Sequence, residues 1–566
     1  MKKIILFVFL SLLAFLTACT TVGFHDLSEK KKNNYLDNRP KLMLSIVVDQ
    51  MRSDYLMRFK DKLTPGIDTN GRLGGFQYLI ENGAYYPLAE YSLLQNMTGP
   101  GHANILTGAN AYLNGIALNT WQSPFQTDTD YCVRDTRYSI VTSSTETINS
   151  KGVSPQFLRA TTLGDELKNA SAPSKVVSVS LKDRSAVLLG GHRSDLSLWF
   201  DTKPFQWVTS TFYTEKLPEW VNVENSKIKT TINSETSFKK VSADSNLTPD
   251  REPAGKNLTY GKGLGLSFPH SVKIGKKDAI KLPYGLNITA DAAIAAFDNE
   301  QLGRDKFSDM LAVSFSSFDY MGHAFGPNSR EMEEMLVATD QAISKLLNHI
   351  NSSIPGGLEN VLIMLTADHG ASPNPEWLAG NKIPAGRINS AKLIERAELK
   401  LTEKFGKPVN TNWIIYDNDF NFFLNQPLIK KMKLDRSSVE TVTKEVLVDS
   451  NKFIQVFTRS EYFEGNLPVG MFRNLIENTY VDGRSGDVIA IPFPHNLHDD
   501  RKFVADHLTG YSYDRYVPLL ISGSNIVANT YSEQAKIVDI APTLSYLLGI
   551  VPPSMSEGRV LSEIMQ

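Results

Sequence analysis

Near-continuous apolar runs recur along the chain, and most close on a polar residue. Lys41–Met51 reads KLMLSIVVDQM and closes on Asp49. Lys175–Leu181, Asp309–Asp319 and Asn360–Thr366 follow the same plan, and a last run spans Tyr516–Gly523. Apolar residues at successive rather than alternate positions mark strands covered on both faces, as in parallel sheets. Between the runs lie segments with helical spacing. Gly74–Asn82 places Phe76, Leu79 and Ile80 on one side. Thr161–Lys168, Ala290–Asn299, Arg330–Ile350 and a helix opening near Ile537 and ending at Leu548 complete the set. This alternation predicts an α/β fold with a doubly wound, mostly parallel central sheet and helices on both faces.

Three stretches break the alternation. Ser123–Val153 is rich in Ser and Thr and reads as a loop excursion. Residues from about 200 to 286 are irregular, with Trp, Tyr, Thr, Ser and Lys and few long apolar runs, and read as an insertion able to cap a site. Residues from about 371 to 492 mix helix and strand patterns, with Trp413–Phe423 strand-like, and read as a second insertion. The chain of 566 residues is therefore read as one catalytic domain over 41–566 carrying two large insertions.

The N-terminus has its own organisation. Lys2-Lys3 precede an apolar stretch from Ile4 to Leu16, too short for a membrane span of about 20 residues. Leu16-Thr17-Ala18-Cys19 resembles the bacterial lipobox. Residues 1–18 are expected to be a lipoprotein signal peptide and 19–40 a polar tether. The implied product is exported and held in the bacterial periplasm or at the outer membrane by a lipid on Cys19; plain cleavage near Cys19 is the alternative. Cys19 and Cys132 are the two cysteines, so neither a disulfide framework nor a thiolate metal site is available. A net charge of −2 gives no argument for nucleic acid. Membrane contact is expected only through the lipid, and the protein is expected to be a monomer.

The polar residues beside the strand ends carry the candidate chemistry. Ligands in open α/β sheets bind beyond the carboxyl ends of strands, which is where Asp49, Asp319, His323, Asp368 and His369 fall. His507 precedes the last strand. Thr98 stands at the mouth of a short helix expected from about Pro100 to Thr107, because Pro suits a first turn and Gly108 a helix end. Taken singly each has an ordinary explanation: Thr98 an N-cap, Asp49 a turn residue, Asn119 a structural amide, Lys182-Asp183-Arg184 a solvated surface pair. Together, three Asp and three His match the oxygen and nitrogen ligands that Zn²⁺ accepts. With a hydroxyl they could hold two metals about 4 Å apart, and a coordinated Thr98 could act as a nucleophile. Lys182 and Arg184, two positions apart after a strand, could aim at one anion. His102 is read as a buttress, and His192, His495 and His498 as structural or surface residues.

Val48-Asp49, Thr98-Gly99-Pro100-Gly101-His102, Asp319-xxx-His323, Asp368-His369-Gly370 and His507 occur in the order found in the alkaline phosphatase superfamily, which the chain resembles from about Lys41 to its end outside the insertions. Asn119 and the Lys-x-Arg pair resemble the threonine-nucleophile bacterial phosphatases of the PafA type. The resemblance implies one zinc on Asp319, His323 and His507 and a second on Asp49, Thr98, Asp368 and His369. It implies attack by Thr98 on phosphate monoesters of broad range, a phosphothreonine, and release of inorganic phosphate, with Asn119, Lys182 and Arg184 binding the phosphoryl oxygens. No carboxylate set for a third metal is evident, so two Zn²⁺ per chain are expected. The sulfatase branch needs Cys or Ser and an Arg in C/S-x-P-x-R, which Thr98–His102 lacks. A nucleotide pyrophosphatase/phosphodiesterase of the same superfamily is the alternative enzyme. A lipoprotein that binds glycans or phosphate at a dead site is the alternative from another class.

Overall fold

The computed structural model describes residues 39–123, 128–143, 148–241, 261, 263–499 and 503–565. The expected signal peptide and nearly all of the expected tether lie outside them. The sheet strands, in chain order, are β1 (Leu42–Val48), β2 (Gly83–Glu90), β3 (Arg134–Val141), β4 (Ile148–Val153), β5 (Val176–Ser180), β6 (Leu196–Asp201), β7 (Gln206–Ser210), β8 (Asp309–Phe315), β9 (Val361–Thr366), β10 (Tyr516–Ser522) and β11 (Asn529–Thr530). They join in the order β11-β2-β10-β9-β1-β8-β5-β6-β7-β3-β4. The central five, β9-β1-β8-β5-β6, are parallel. Every residue of β1 is buried, as the unbroken apolar run requires.

Register matters more than strand count. Val48 pairs with Phe315 and Val47 with Thr366. The chain therefore leaves β1, β8 and β9 at one level of the sheet, and Asp49, Asp319 and Asp368 follow from neighbouring strand ends. Helices cover the sheet as expected. Thr98–Thr107 (α1) packs on Asp183–Gly190 (α2), and Ser317–Phe325 (α3) on Arg330–Ser353 (α4), which also packs on Pro283–Asn299.

The flanks differ from the sequence reading. The last long strand, β10, runs antiparallel to both β9 and β2; an apolar run carries no sign of its direction. Ser123–Val153 is not a loop excursion. Thr120–Gln122 pairs with Thr129–Tyr131, and β3 pairs with β4 and with β7. Thr, Tyr, Val and Ile favour a half-buried pleated surface, and here that preference outweighs the polar composition. The start of the region from 200 to 286 is likewise regular. β6 and β7 extend the sheet and bury Phe200, Phe205 and Trp207 as edge-to-face neighbours. A helix, Glu219–Thr231, and an antiparallel pair of Glu235–Phe238 with His270–Lys273 follow.

Between 371 and 492 a separate four-stranded sheet forms from Ile414–Asn418, Asn421–Leu424, Val488–Pro492 and Phe453–Thr458. Its own core holds Trp413, Phe422, Val439 and Val488, packed under Ser390–Phe405 and Arg436–Val448. The strand-like Trp413–Phe423 stretch supplies most of its first hairpin. Among the described residues no helix is long and apolar enough to cross a membrane.

Candidate active site

α1 begins two residues earlier than the Pro100 signal implies, at Thr98 itself. Met97, extended at φ −154°, takes the cap position, Pro100 falls in the first turn, and Gly108 closes the helix at φ +64°. The Thr98 hydroxyl makes no capping bond. It is buried and faces two cations: Lys182 Nζ lies 3.3 Å and Arg184 Nη2 3.2 Å from Thr98 Oγ1. The ordinary explanation for Thr98, an N-cap, is thereby removed. Asn119 is tied to the same helix mouth, since its Oδ1 accepts from the Gly99 N–H at 2.7 Å.

Lys182 and Arg184 sit where β5 passes into α2, Lys182 capping the helix and Arg184 in its first turn. Neither is a solvated surface residue. Lys182 Nζ lies 2.6 Å from Asp49 Oδ2 and 2.7 Å from Asp319 Oδ2. Burial alone would lower its pKa, but the two carboxylates raise it above the usual lysine range. Arg184 is held by Tyr131, whose hydroxyl accepts from Nη1 at 3.3 Å and donates to Asp183 at 2.5 Å.

The carboxylates and imidazoles predicted at the strand ends meet. Asp49, Asp368 and His369 converge, as do Asp319, His369 and His507, and His323 joins His507 with Asp506. Asp319 and His323 lie one turn apart on α3, with Oδ1 and Nε2 3.2 Å apart. The His369 and His507 rings stack at 3.7 Å. Each of the three His presents the same nitrogen inward. His323 Nδ1 donates to Ala505 O, His369 Nδ1 to Gly370 O and His507 Nδ1 to Asn96 O, at 3.0, 2.9 and 2.7 Å. A carbonyl can only accept, so each Nδ1 carries a proton and each Nε2 is the atom turned toward the cluster.

That donor set fits divalent zinc. Asp49 Oδ1 and His369 Nε2 are buried with no hydrogen-bond partner, and unsatisfied buried polar atoms are otherwise costly; Asp49 Oδ2 is met by Lys182 and Asp368 Oδ2 by His102. Burial, then the nearby Asp368, pushes Asp49 well above the usual carboxylate range. Asp319 feels the same burial but is pulled well below that range by His323 and Lys182. Asp368 is pulled down by His369 and His102. Burial lowers His369 and, more strongly, His507, which keeps them neutral as metal ligands must be.

His102, read as a buttress, is one: its ring contacts Thr98 O at 2.8 Å, Ser314 Oγ at 2.9 Å and Asp368 Oδ2 at 3.2 Å. His192, His495 and His498 stand apart, beside Asp165, Ser372 and Asp417. Sequence reasoning missed Gln50, Asp506 and Tyr131. The first two directly adjoin Asp49 and His507, and their position was the available signal. Tyr131 lay in the stretch taken for a loop.

A buried hydroxyl flanked by two cations and backed by three Asp and three His, at the ends of a parallel sheet, defines a metallohydrolase of the alkaline phosphatase superfamily. More narrowly, residues 43–497 match the family of type I phosphodiesterase / nucleotide pyrophosphatase, and the chain belongs to that family. It is similar to alkaline phosphatase PhoV of Synechococcus elongatus, 33% identical over 541 residues, covering 93% of each chain. It is also similar to alkaline phosphatase PafA of Elizabethkingia meningoseptica, 31% identical over 537 residues, covering 93% of this chain and 95% of that one. A solved structure of PafA superposes with a TM-score of 0.84 at 30% identity, over 93% of this chain and 99% of the other. A second PafA structure carries substitutions at a threonine, an asparagine, and a lysine and arginine two positions apart. Those are the residue types of Thr98, Asn119, Lys182 and Arg184, in the same order.

Proposed function

We propose that the protein hydrolyses phosphate monoesters of varied alcohols through a phosphothreonine on Thr98, with two Zn²⁺ per chain. The observation that carries this reading is the convergence of Lys182 and Arg184 on Thr98 Oγ1. A monoester is a dianion, and its free oxygens need donors and positive charge that a diester needs less. Asp319, His323 and His507 would hold one zinc, and Asp49, Thr98, Asp368 and His369 the other. Bound there, zinc would supply the Lewis acidity that favours the Thr98 alkoxide and the leaving alcohol oxygen. Thr98 Oγ1 attacks phosphorus, the P–O bond to the alcohol breaks, and Asn119, Lys182 and Arg184 hold the non-bridging oxygens. Water then cleaves the phosphothreonine and releases inorganic phosphate. The names of the PhoV and PafA relatives support this reading.

The family match favours a second reading, a nucleotide pyrophosphatase or phosphodiesterase. The test is kcat/KM of the zinc-loaded protein on a matched aryl phosphate monoester and aryl phosphate methyl diester. Monoester preference is expected; diester preference would move the protein to the second reading. A dead-site binding protein would hydrolyse neither and lack stoichiometric metal. The cellular setting belongs to the same proposal: export, a lipid on Cys19, and a monomer at the envelope, motivated by Lys2-Lys3, Ile4–Leu16 and Leu16-Thr17-Ala18-Cys19. Incorporation of labelled palmitate, lost in Cys19→Ala, is the expected result; labelling that persists would remove the anchor.

A further inference from the structure

Gln50 follows Asp49 but belongs to neither candidate zinc set. It is buried, and its φ is +68°, a left-handed conformation that a side chain with Cβ seldom adopts. Strain of this kind persists only where the surroundings over-determine it, and here they do. The Gln50 N–H donates to Asp368 Oδ1 at 3.0 Å. Its side-chain Nε2 donates to Asp319 Oδ1 at 2.7 Å and lies 3.4 Å from His323 Nε2. Asp368 belongs to one set, and Asp319 and His323 to the other. Opposite the amide, Gly322 lacks the Cβ that would collide with Gln50 Oε1. The helix turn between Asp319 and His323 therefore leaves room for this one side chain.

We propose that Gln50 is a positioning residue that sets the spacing between the two zinc sets, orienting Asp319 through its amide while its backbone anchors Asp368. The inference rests on the two-zinc reading above. Lys182 also reaches both sets, through Asp49 and Asp319, but it carries charge and faces Thr98, where substrate would engage it. Gln50 is neutral, and its amide nitrogen faces Asp319 and His323.

Its two halves separate by mutation. Gln50→Leu keeps the bulk and the N–H but removes the amide. Gln50→Gly removes the side chain, keeps the N–H and relaxes the backbone. Zinc affinity of the full chain would be measured at equilibrium against a chromophoric chelator, with total metal by elemental analysis. His323→Ala would mark which site belongs to the Asp319 set. Both Gln50 variants are expected to keep one site at wild-type affinity and to weaken the other about 10- to 100-fold. The weakened site should be the one His323→Ala abolishes. Two sites within twofold of wild type in both variants would overturn the proposal, as would equal weakening of both sites, which marks general loosening. A wild-type protein that binds fewer than two zinc ions would overturn the two-zinc reading itself, and this inference with it. Gln50→Gly keeps the test decisive if Gln50→Leu fails to fold.

Discussion

Lys182 offers a prediction whose size follows from the structure. Its side chain is 3% exposed and its ammonium stands 2.6 and 2.7 Å from two buried carboxylates. At an effective dielectric of about 20, each contact is worth about 6 kcal/mol of Coulomb energy, and desolvating the three charges offsets most of it. Removing one member of such a group is different, because charge is left buried without a partner; the cost is then about 3–5 kcal/mol. Lys182→Met keeps the apolar stem and removes the charge. At about 2.1 cal/mol/K per residue, a unit of this length has an unfolding entropy near 1.1 kcal/mol/K. Metal-free Lys182→Met should therefore melt about 3–5 °C below metal-free wild type. Zinc at the same carboxylates replaces the missing positive charge, so between zinc-loaded proteins the gap should fall to about 1 °C or less by the same arithmetic. Differential scanning calorimetry of dialysed and zinc-loaded samples makes the comparison. An equal drop in both states would show that Lys182 acts through packing, and no drop in the metal-free pair would refute the charge argument outright.

Thr98→Ala should abolish turnover while the protein retains its metal; residual wild-type activity would remove Thr98 as nucleophile. Lys182→Ala combined with Arg184→Ala should lower monoester kcat/KM by at least about 10²–10³-fold, the effect of losing a single preorganised donor, and diester kcat/KM far less. Equal losses on both substrates would rule out their role at the phosphoryl oxygens. Tyr131→Phe deletes the hydroxyl that braces Arg184 and should reproduce part of the Arg184→Ala loss on monoesters alone; an unchanged monoester rate would show that Arg184 needs no brace. Gly101→Ala places a Cβ against the Asp368 carbonyl and 2.9 Å from its Cβ. It should loosen zinc binding and lower activity together, and intact metal affinity would show that α1 shifts without disturbing Asp368.

Much of the site was legible because it is built from strand ends. An apolar run that closes on Asp49 or Asp368 announces both a buried strand and a polar group at its mouth, and register aligns those mouths without further information. Asp319 and His323 were legible as one helical turn. The helix at Thr98 was placed late because Pro100 and Gly108 mark where a helix is permitted, whereas the extended Met97 that starts it has no compositional signature. The direction of β10 was hidden because hydrophobicity is the same read either way. β3 and β4 were hidden because the stretch is rich in Ser and Thr, and they are the last two strands at one end of the sheet. Gln50 and Tyr131 act on other residues rather than on the reacting atoms, so their importance lies in contacts made across the fold.

His507 joins the site from beyond the four-stranded sheet of the 371–492 region, and β10, which follows it, is wedged between β2 and β9. During synthesis every other predicted ligand has emerged long before His507, yet no earlier stopping point has the whole set. Pairings between such distant segments form slowly. On the proposed reading, hydrolytic activity therefore requires translation past His507 and β10. A product that stops before His507, or whose last long strand has not slotted into place, should be catalytically silent however well its first half has folded. Fused behind a difficult sequence, the protein would act as a reporter of read-through and of correct assembly at once.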